Sequence, residues 1–213
     1  IDPGQLPFRS YAVPVRVAPG ERVQLNLRVQ TTTSHQVPMT LWSQREFLEH
    51  ATRQSAGHGI FFGAMLLMAL YNLGIMLFVR DRAYLYYVLN IVSFALLQLN
   101  LSGYCYRALQ PRLDPGWYAI HNVGLAFFSA ATLVTIMLFA RSFLQTRVHT
   151  PRMHRVLSAM LGIALAALAG SFVLPSRIAM PALALFGAIG GVLLIAAGVA
   201  SLRAGVRVAR FYL

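Results

Sequence analysis

Six histidines, at positions 35, 50, 58, 121, 149 and 154, are the side chains of this 213-residue chain best suited to metal binding or proton transfer. Only His149 and His154 are close in the sequence, and both lie among arginines. Positive charge disfavours a cation site there, so we expect a solvated loop. The chain contains no HExxH, CxxC or GxSxG motif and no P-loop. We therefore expect no catalytic residues, metal or cofactor in this part of the protein, and no enzyme activity of its own.

Two further features invite a chemical interpretation. The glycine-rich run GAIGG at 187–191 lies inside an apolar stretch with no strand before it, which favours close helix packing over phosphate binding. Cys105 is the only cysteine, so these residues cannot form a disulfide among themselves. We expect a buried thiol at Cys105, and an intermolecular bridge remains the alternative.

The elements that position these residues are membrane spans. Hydrophobic residues make up 57% of the chain and the mean hydropathy is +0.60, which exceeds what a soluble domain normally carries. A bilayer core of about 30 Å requires about 20 apolar residues per helix. Runs of this length predict five spans and the start of a truncated sixth from residue 209, at 57–79, 83–103, 118–140, 156–174 and 178–202.

Charged residues lie between the spans. Arg80, Asp81 and Arg82 predict a tight turn at the membrane surface. One set of alternate loops holds nine arginines and the other set holds three, which places the first set in the cytoplasm and the N-terminal region outside. We expect these charges to face anionic lipid and not nucleic acid. The candidate cytoplasmic loop charges are Arg80, Asp81, Arg82, Arg141, Arg147, Arg152 and Arg155.

The residues before the first span have a different composition. Residues 22–30 alternate apolar and polar side chains, which predicts a half-buried strand, and 11–17 and 36–43 predict two more around a turn at 18–21. Three strands bury little core on their own. We therefore interpret 1–43 as the C-terminal part of an extracytoplasmic β-sandwich whose beginning is missing, followed by a helical connector at 44–56 and a transmembrane domain at 57–213.

Polar side chains within the spans are the main site candidates, because an unpaired amide in hydrocarbon is costly. Such groups either hold the bundle together or exchange partners when a signal rearranges the bundle, and both interpretations remain open. The preferred switch set is Asn72, Asn90, Gln98 and Asn100, and the third span adds His121, Asn122, Ser129, Thr132 and Thr135.

Several separated motifs carry a family resemblance, namely ALYN at 69–72, RDRAYLYY at 80–87, ARSFL at 140–144 and ARFYL at 209–213. With them, the chain resembles the bacterial seven-transmembrane receptors with diverse intracellular signalling modules. Residues 5–43 are similar to the end of that family's type-2 extracellular domain. The resemblance implies a β-sandwich sensor similar to carbohydrate-binding modules, seven helices in the bacterial inner membrane, and a cytoplasmic signalling module in the same chain.

We therefore expect a mainly α, polytopic transmembrane helical bundle that acts as a receptor. It would pass the signal of an extracytoplasmic ligand, a carbohydrate by family analogy alone, to an output module absent from these residues. A homodimer remains open. The alternatives are a transporter or a membrane scaffold. All eighteen cationic residues are arginine, so a retinal Schiff base has no lysine here, and all six acids lie outside the spans, where they cannot couple ions to transport.

Overall fold

The computed structural model describes residues 14–15, 17–26, 39–104 and 117–206, without the side chains of 117–121 and 176. Contacts divide the chain into two units, Ile1–Gly59 and Ile60–Leu213. The described residues form six helices, which are α1 (Gln44–Val79), α2 (Arg82–Leu101), α3 (Trp117–Phe143), α4 (Thr146–His149), α5 (Pro151–Gly170) and α6 (Ser176–Arg203).

Five of these helices are long and apolar enough to cross a bilayer, all but the four-residue α4. They are five long apolar helices that overlap the five predicted spans. Their ends differ from the prediction because hydrogen bonds, not hydropathy, set where a helix ends. Helix α5, for example, begins five residues before the predicted span, since Pro151 is well suited to the first turn of a helix. The truncated sixth span from 209 lies outside the described residues.

Helix α1 is 36 residues long and includes the whole predicted connector. A capping box starts it, because the Ser43 hydroxyl accepts from the Glu46 backbone N–H at 3.3 Å, and the Glu46 carboxylate accepts from the Ser43 N–H at 3.3 Å. Arg45 and Glu49 add an ion pair at 3.1 Å one turn later. At 1.5 Å per residue α1 is ~54 Å long, so its polar first turns extend beyond the hydrocarbon of a bilayer.

The predicted turn at 18–21 is present, with the Glu21 N–H donating to the Ala18 carbonyl at 3.0 Å and Gly20 at a φ of 81°. The predicted strand at 22–30 does not form over its described part, 22–26. Val23 and Leu25 are exposed there, so the alternation has no core to face. None of the residues described before α1 lies in a strand. The β-sandwich therefore stays a prediction, and 11–13, 16 and 27–38 lie outside the described residues.

The core of the bundle is built around α3, which packs against α2, α5 and α6. Its buried apolar residues recur every three or four positions, as one face of a helix requires, at Ala126, Ala130, Val134, Met137 and Ala140. Small residues on that face let neighbouring helices approach closely. In α6, a side chain at Gly190 would meet Met137 Cε at 3.0 Å and one at Gly187 would meet Leu133 at 3.7 Å, so these two glycines of the predicted run lie in the helix packing.

Candidate functional site: polar residues between the helices

Asn90 makes the direct polar link between α2 and α3. Its Nδ2 donates to the Thr132 carbonyl and to Thr135 Oγ1, each at 3.1 Å. The two threonine hydroxyls also bond within α3, to the carbonyls of Phe128 and Ala131 at 2.8 Å. The two N–H groups of one amide thus find two acceptors on the neighbouring helix, as a polar group buried in a membrane bundle requires.

Asn100, near the end of α2, is 5% exposed and lies against Gly124 of α3. A Cβ at Gly124 would stand 2.8 Å from Asn100 Nδ2, so a larger residue at this position would have to displace the amide. Asn100 Oδ1 is buried and has no hydrogen-bond partner among the described residues. A buried carbonyl oxygen normally accepts a hydrogen bond, so Asn100 Oδ1 is an unused acceptor within the described part of this interface.

The other two predicted switch residues have different surroundings. Asn72 is half-buried on α1 and donates to the Met68 carbonyl of its own helix at 2.8 Å. Gln98 is half-buried on α2, two residues before Asn100. The structure thus places Asn90 and Asn100 in the α2–α3 interface and turns the Asn72 amide onto its own backbone. Of the further candidates, Thr132 and Thr135 join Asn90, and the side chain of His121 lies outside the described part.

The predicted turn at 80–82 is confirmed as the connection between α1 and α2. Arg80 has a φ of 55°, the left-handed conformation that reverses the chain direction there. Asp81 is the N-cap of α2, and its Oδ1 accepts from the Ala83 backbone N–H at 2.9 Å. Arg82 is the first residue of α2, and its side chain is exposed. The aspartate in this turn therefore has a structural role as a helix cap.

At the same end of the bundle, Arg141 of α3 contacts His154 of α5. Arg141 Nη2 lies 3.3 Å from His154 Nε2, and His154 Nδ1 lies 3.0 Å from the hydroxyl of the fully buried Thr146. Both histidines were predicted to lie in a solvated loop. The prediction is confirmed for His149, which is exposed, and is wrong for His154, which is half-buried. The reason is the turn formed by α4, which brings Thr146 beside the start of α5. Arg147, Arg152 and Arg155 are exposed.

Sequence reasoning missed two of these arrangements. The capping box at the start of α1 has a readable signal, the S-x-x-E spacing of Ser43 and Glu46. The contact of Thr146 with His154 has none, because it depends on α4, a single helical turn whose N-cap Gln145 lies in the left-handed region at a φ of 45°. Cys105 lies outside the described residues. Among those described, no three His, Cys, Asp or Glu side chains cluster as a metal site would require.

These observations define the class of protein, a multi-pass membrane protein with a helical bundle centred on α3. The sequence profile of one family, described as 7TM diverse intracellular signalling, matches residues 54–213, which is more than half of the chain. The chain therefore belongs to this family, as its motifs predicted. Searches of curated proteins and of solved structures gave no significant match.

Proposed function

We propose that the protein is a transmembrane receptor that passes an extracytoplasmic signal through the bundle to a cytoplasmic signalling module. The membership of residues 54–213 in a family of 7TM domains with diverse intracellular signalling is the observation that supports it most. The arginine distribution supports a cytoplasmic position for the α1–α2 turn and the α3–α5 connection, with the residues before α1 outside. The ligand is proposed to be a carbohydrate, by family analogy alone.

The mechanism is a shift between two arrangements of the bundle, one of which the ligand binds better than the other. The amides of Asn90 and Asn100 are suited to such a shift. Asn90 donates to two acceptors on α3, and a small rotation of α3 would replace them by others. Asn100 Oδ1 is a buried acceptor without a donor among the described residues. An arrangement that supplies a donor to Asn100 and releases Asn90 would differ by only one or two hydrogen bonds, about 1–2 kcal/mol.

The test uses the intact protein in membrane vesicles, with the activity of its cytoplasmic module assayed against a panel of mono- and oligosaccharides. We expect at least one sugar to change this activity, and deletion of residues 1–43 to abolish the response while the bundle still inserts. The matched control is a variant with residues 1–43 intact and Arg177→Gln, an exposed substitution that should leave the response unchanged. Accumulation of a sugar inside the vesicles, with no change in module activity, would contradict the proposal and favour a transporter.

A further inference from the structure

The connection between α3 and α5 concentrates positive charge without any acid. No aspartate or glutamate follows Asp114 in the sequence, whereas Arg141, Arg147, Arg152 and Arg155 fall within 15 residues of one another. Arg152 and Arg155 lie at the start of α5, where the positive end of the helix dipole disfavours cations. Neither an acidic side chain in the first turn nor a side-chain cap offsets them. An anion from outside this part of the chain would remove that repulsion.

The half-buried Arg141 also carries a positive charge that no acidic side chain in the described part of the chain offsets. For its contact with His154 to be a hydrogen bond, His154 Nε2 must accept, so the ring is neutral and Nδ1–H donates to the Thr146 hydroxyl. His154 therefore positions the guanidinium but adds no negative charge. Arg141 Nε and Thr150 Oγ1 are both buried and have no hydrogen-bond partner among the described residues. The Arg141 guanidinium therefore has no acidic counter-ion among the described residues.

The carboxylate in the α1–α2 turn already accepts a hydrogen bond. Asp81, in the α1–α2 turn, caps α2 through the Ala83 N–H. In the described part of the chain, the ion pair between Arg45 and Glu49 is the only one within 4.0 Å, and it lies in α1. The arginines of the α3–α5 connection thus have no carboxylate partner there.

We propose that the start of α5 binds the phosphate group of an anionic membrane lipid, with Arg152 and Arg155 as its direct donors and the charge of Arg141 contributing to the attraction. A helix end at the membrane surface lies at the depth of the lipid phosphates, and guanidinium donors match phosphate oxygens in geometry. Both arginines are exposed, while Leu157, Met160, Leu161 and Ala164 of the same helix face the core, so lipid can reach them. This site does not depend on the proposed receptor function.

The test measures the thermal unfolding of the intact protein in nanodiscs of phosphatidylcholine alone, of phosphatidylcholine with phosphatidylglycerol, and of phosphatidylcholine with inorganic phosphate in the buffer. We expect phosphatidylglycerol to raise the midpoint of the wild type. For Arg155→Gln, we expect phosphatidylglycerol to raise the midpoint by about 2–4 °C less than for the wild type, which corresponds to the loss of one contact with the lipid phosphate. Arg177→Gln, an exposed arginine at the opposite end of the bundle, should keep all of it.

For Arg141→Gln, we also expect phosphatidylglycerol to raise the midpoint by less than for the wild type. If Arg141→Gln does not fold, the result for Arg155→Gln alone tests the lipid site. Native mass spectrometry of the detergent-extracted protein should show retained phosphatidylglycerol on the wild type and less on Arg155→Gln. An equal gain for the wild type, Arg155→Gln and Arg177→Gln would overturn the site, since it would show only a diffuse surface charge. An equal rise with inorganic phosphate alone would overturn the assignment to lipid.

Discussion

Helices α1 and α3 are both apolar enough to cross a bilayer, yet they differ in how they pack. In α3 a face of small and apolar residues is buried, from Ala126 to Ala140. No residue of α1 is buried, and a side chain added at Gly63 or Gly74 would meet nothing within 4 Å. Lipid is as apolar as leucine, so hydropathy decides which helices cross the membrane, while small residues and polar pairs decide which of them pack together.

Helices α1 and α2 show a similar contrast in the hydrogen bonds of their asparagine side chains. Asn72 of α1 and Asn90 of α2 carry identical amides, but Asn72 donates to its own helix and Asn90 to its neighbour. An amide satisfied by its own backbone adds nothing to helix association. If this comparison is right, substitutions in the α2–α3–α5 core should change stability far more than equivalent substitutions in α1.

The largest difference should come from a pair of methionines. Met137 of α3 is fully buried and Met68 of α1 is 46% exposed. Met137→Ala removes packing from the centre of the core and should lower the free energy of unfolding by about 2–5 kcal/mol. Met68→Ala, the control, should change it by less than about 0.5 kcal/mol. Thermal unfolding in nanodiscs measures both, and similar losses for the two variants would show that α1 is packed as tightly as α3.

A pair of glycines should give the next largest difference. Gly124→Val places a branched side chain against the buried Asn100 amide, which should lower the free energy of unfolding by about 1–3 kcal/mol. At Gly191 of α6, an added Cβ would meet nothing within 4 Å, so Gly191→Val is the matched control and should be nearly neutral. The same unfolding measurement separates the two. A neutral Gly124→Val would mean that the Asn100 side chain moves freely out of the interface.

The two helix caps should differ less. Asp81→Ala removes the N-cap of the packed helix α2 and should lower the free energy of unfolding of the whole bundle by about 1 kcal/mol. Ser43→Ala removes the cap of α1 and should only loosen its first turn. Hydrogen–deuterium exchange distinguishes a local from a global effect, and Asp81→Asn, which keeps a capping oxygen, is the control. Faster exchange throughout the bundle in Ser43→Ala would contradict the comparison.

Hydropathy and charge were sufficient to predict the five spans and the turn at 80–82, because hydrocarbon excludes ionisable groups and the charges therefore mark the span ends. They could not predict the length of α1, which a capping box extends through the polar connector. The strand predicted at 22–30 rested on alternation alone. Alternation becomes a strand only where a core covers one face, and Val23 and Leu25 have none.

The sequence identified residue types for the candidate site but not their partners. Amides in a span must be satisfied, so Asn72, Asn90, Gln98 and Asn100 were all candidates, and the sequence did not separate Asn90 and Asn100 from the other two. Which helix satisfies each amide depends on rotation about the helix axis, which a run of apolar residues leaves undetermined. Thr135 as the partner of Asn90, and Thr146 as the partner of His154, become visible only once the register of α3 and the turn of α4 are known.

We propose that the α2–α3 interface carries the signal, and paired asparagine substitutions in the intact protein test this proposal. Asn90→Leu removes the two interhelical hydrogen bonds to Thr132 and Thr135, together worth about 1 kcal/mol, which should change the basal activity of the cytoplasmic module by about fivefold. Asn72→Leu removes a bond within one helix and should change that activity much less. A change with Asn90→Leu but not with Asn72→Leu is the predicted result. Unchanged activity in Asn90→Leu, or a larger effect of Asn72→Leu, would contradict the account.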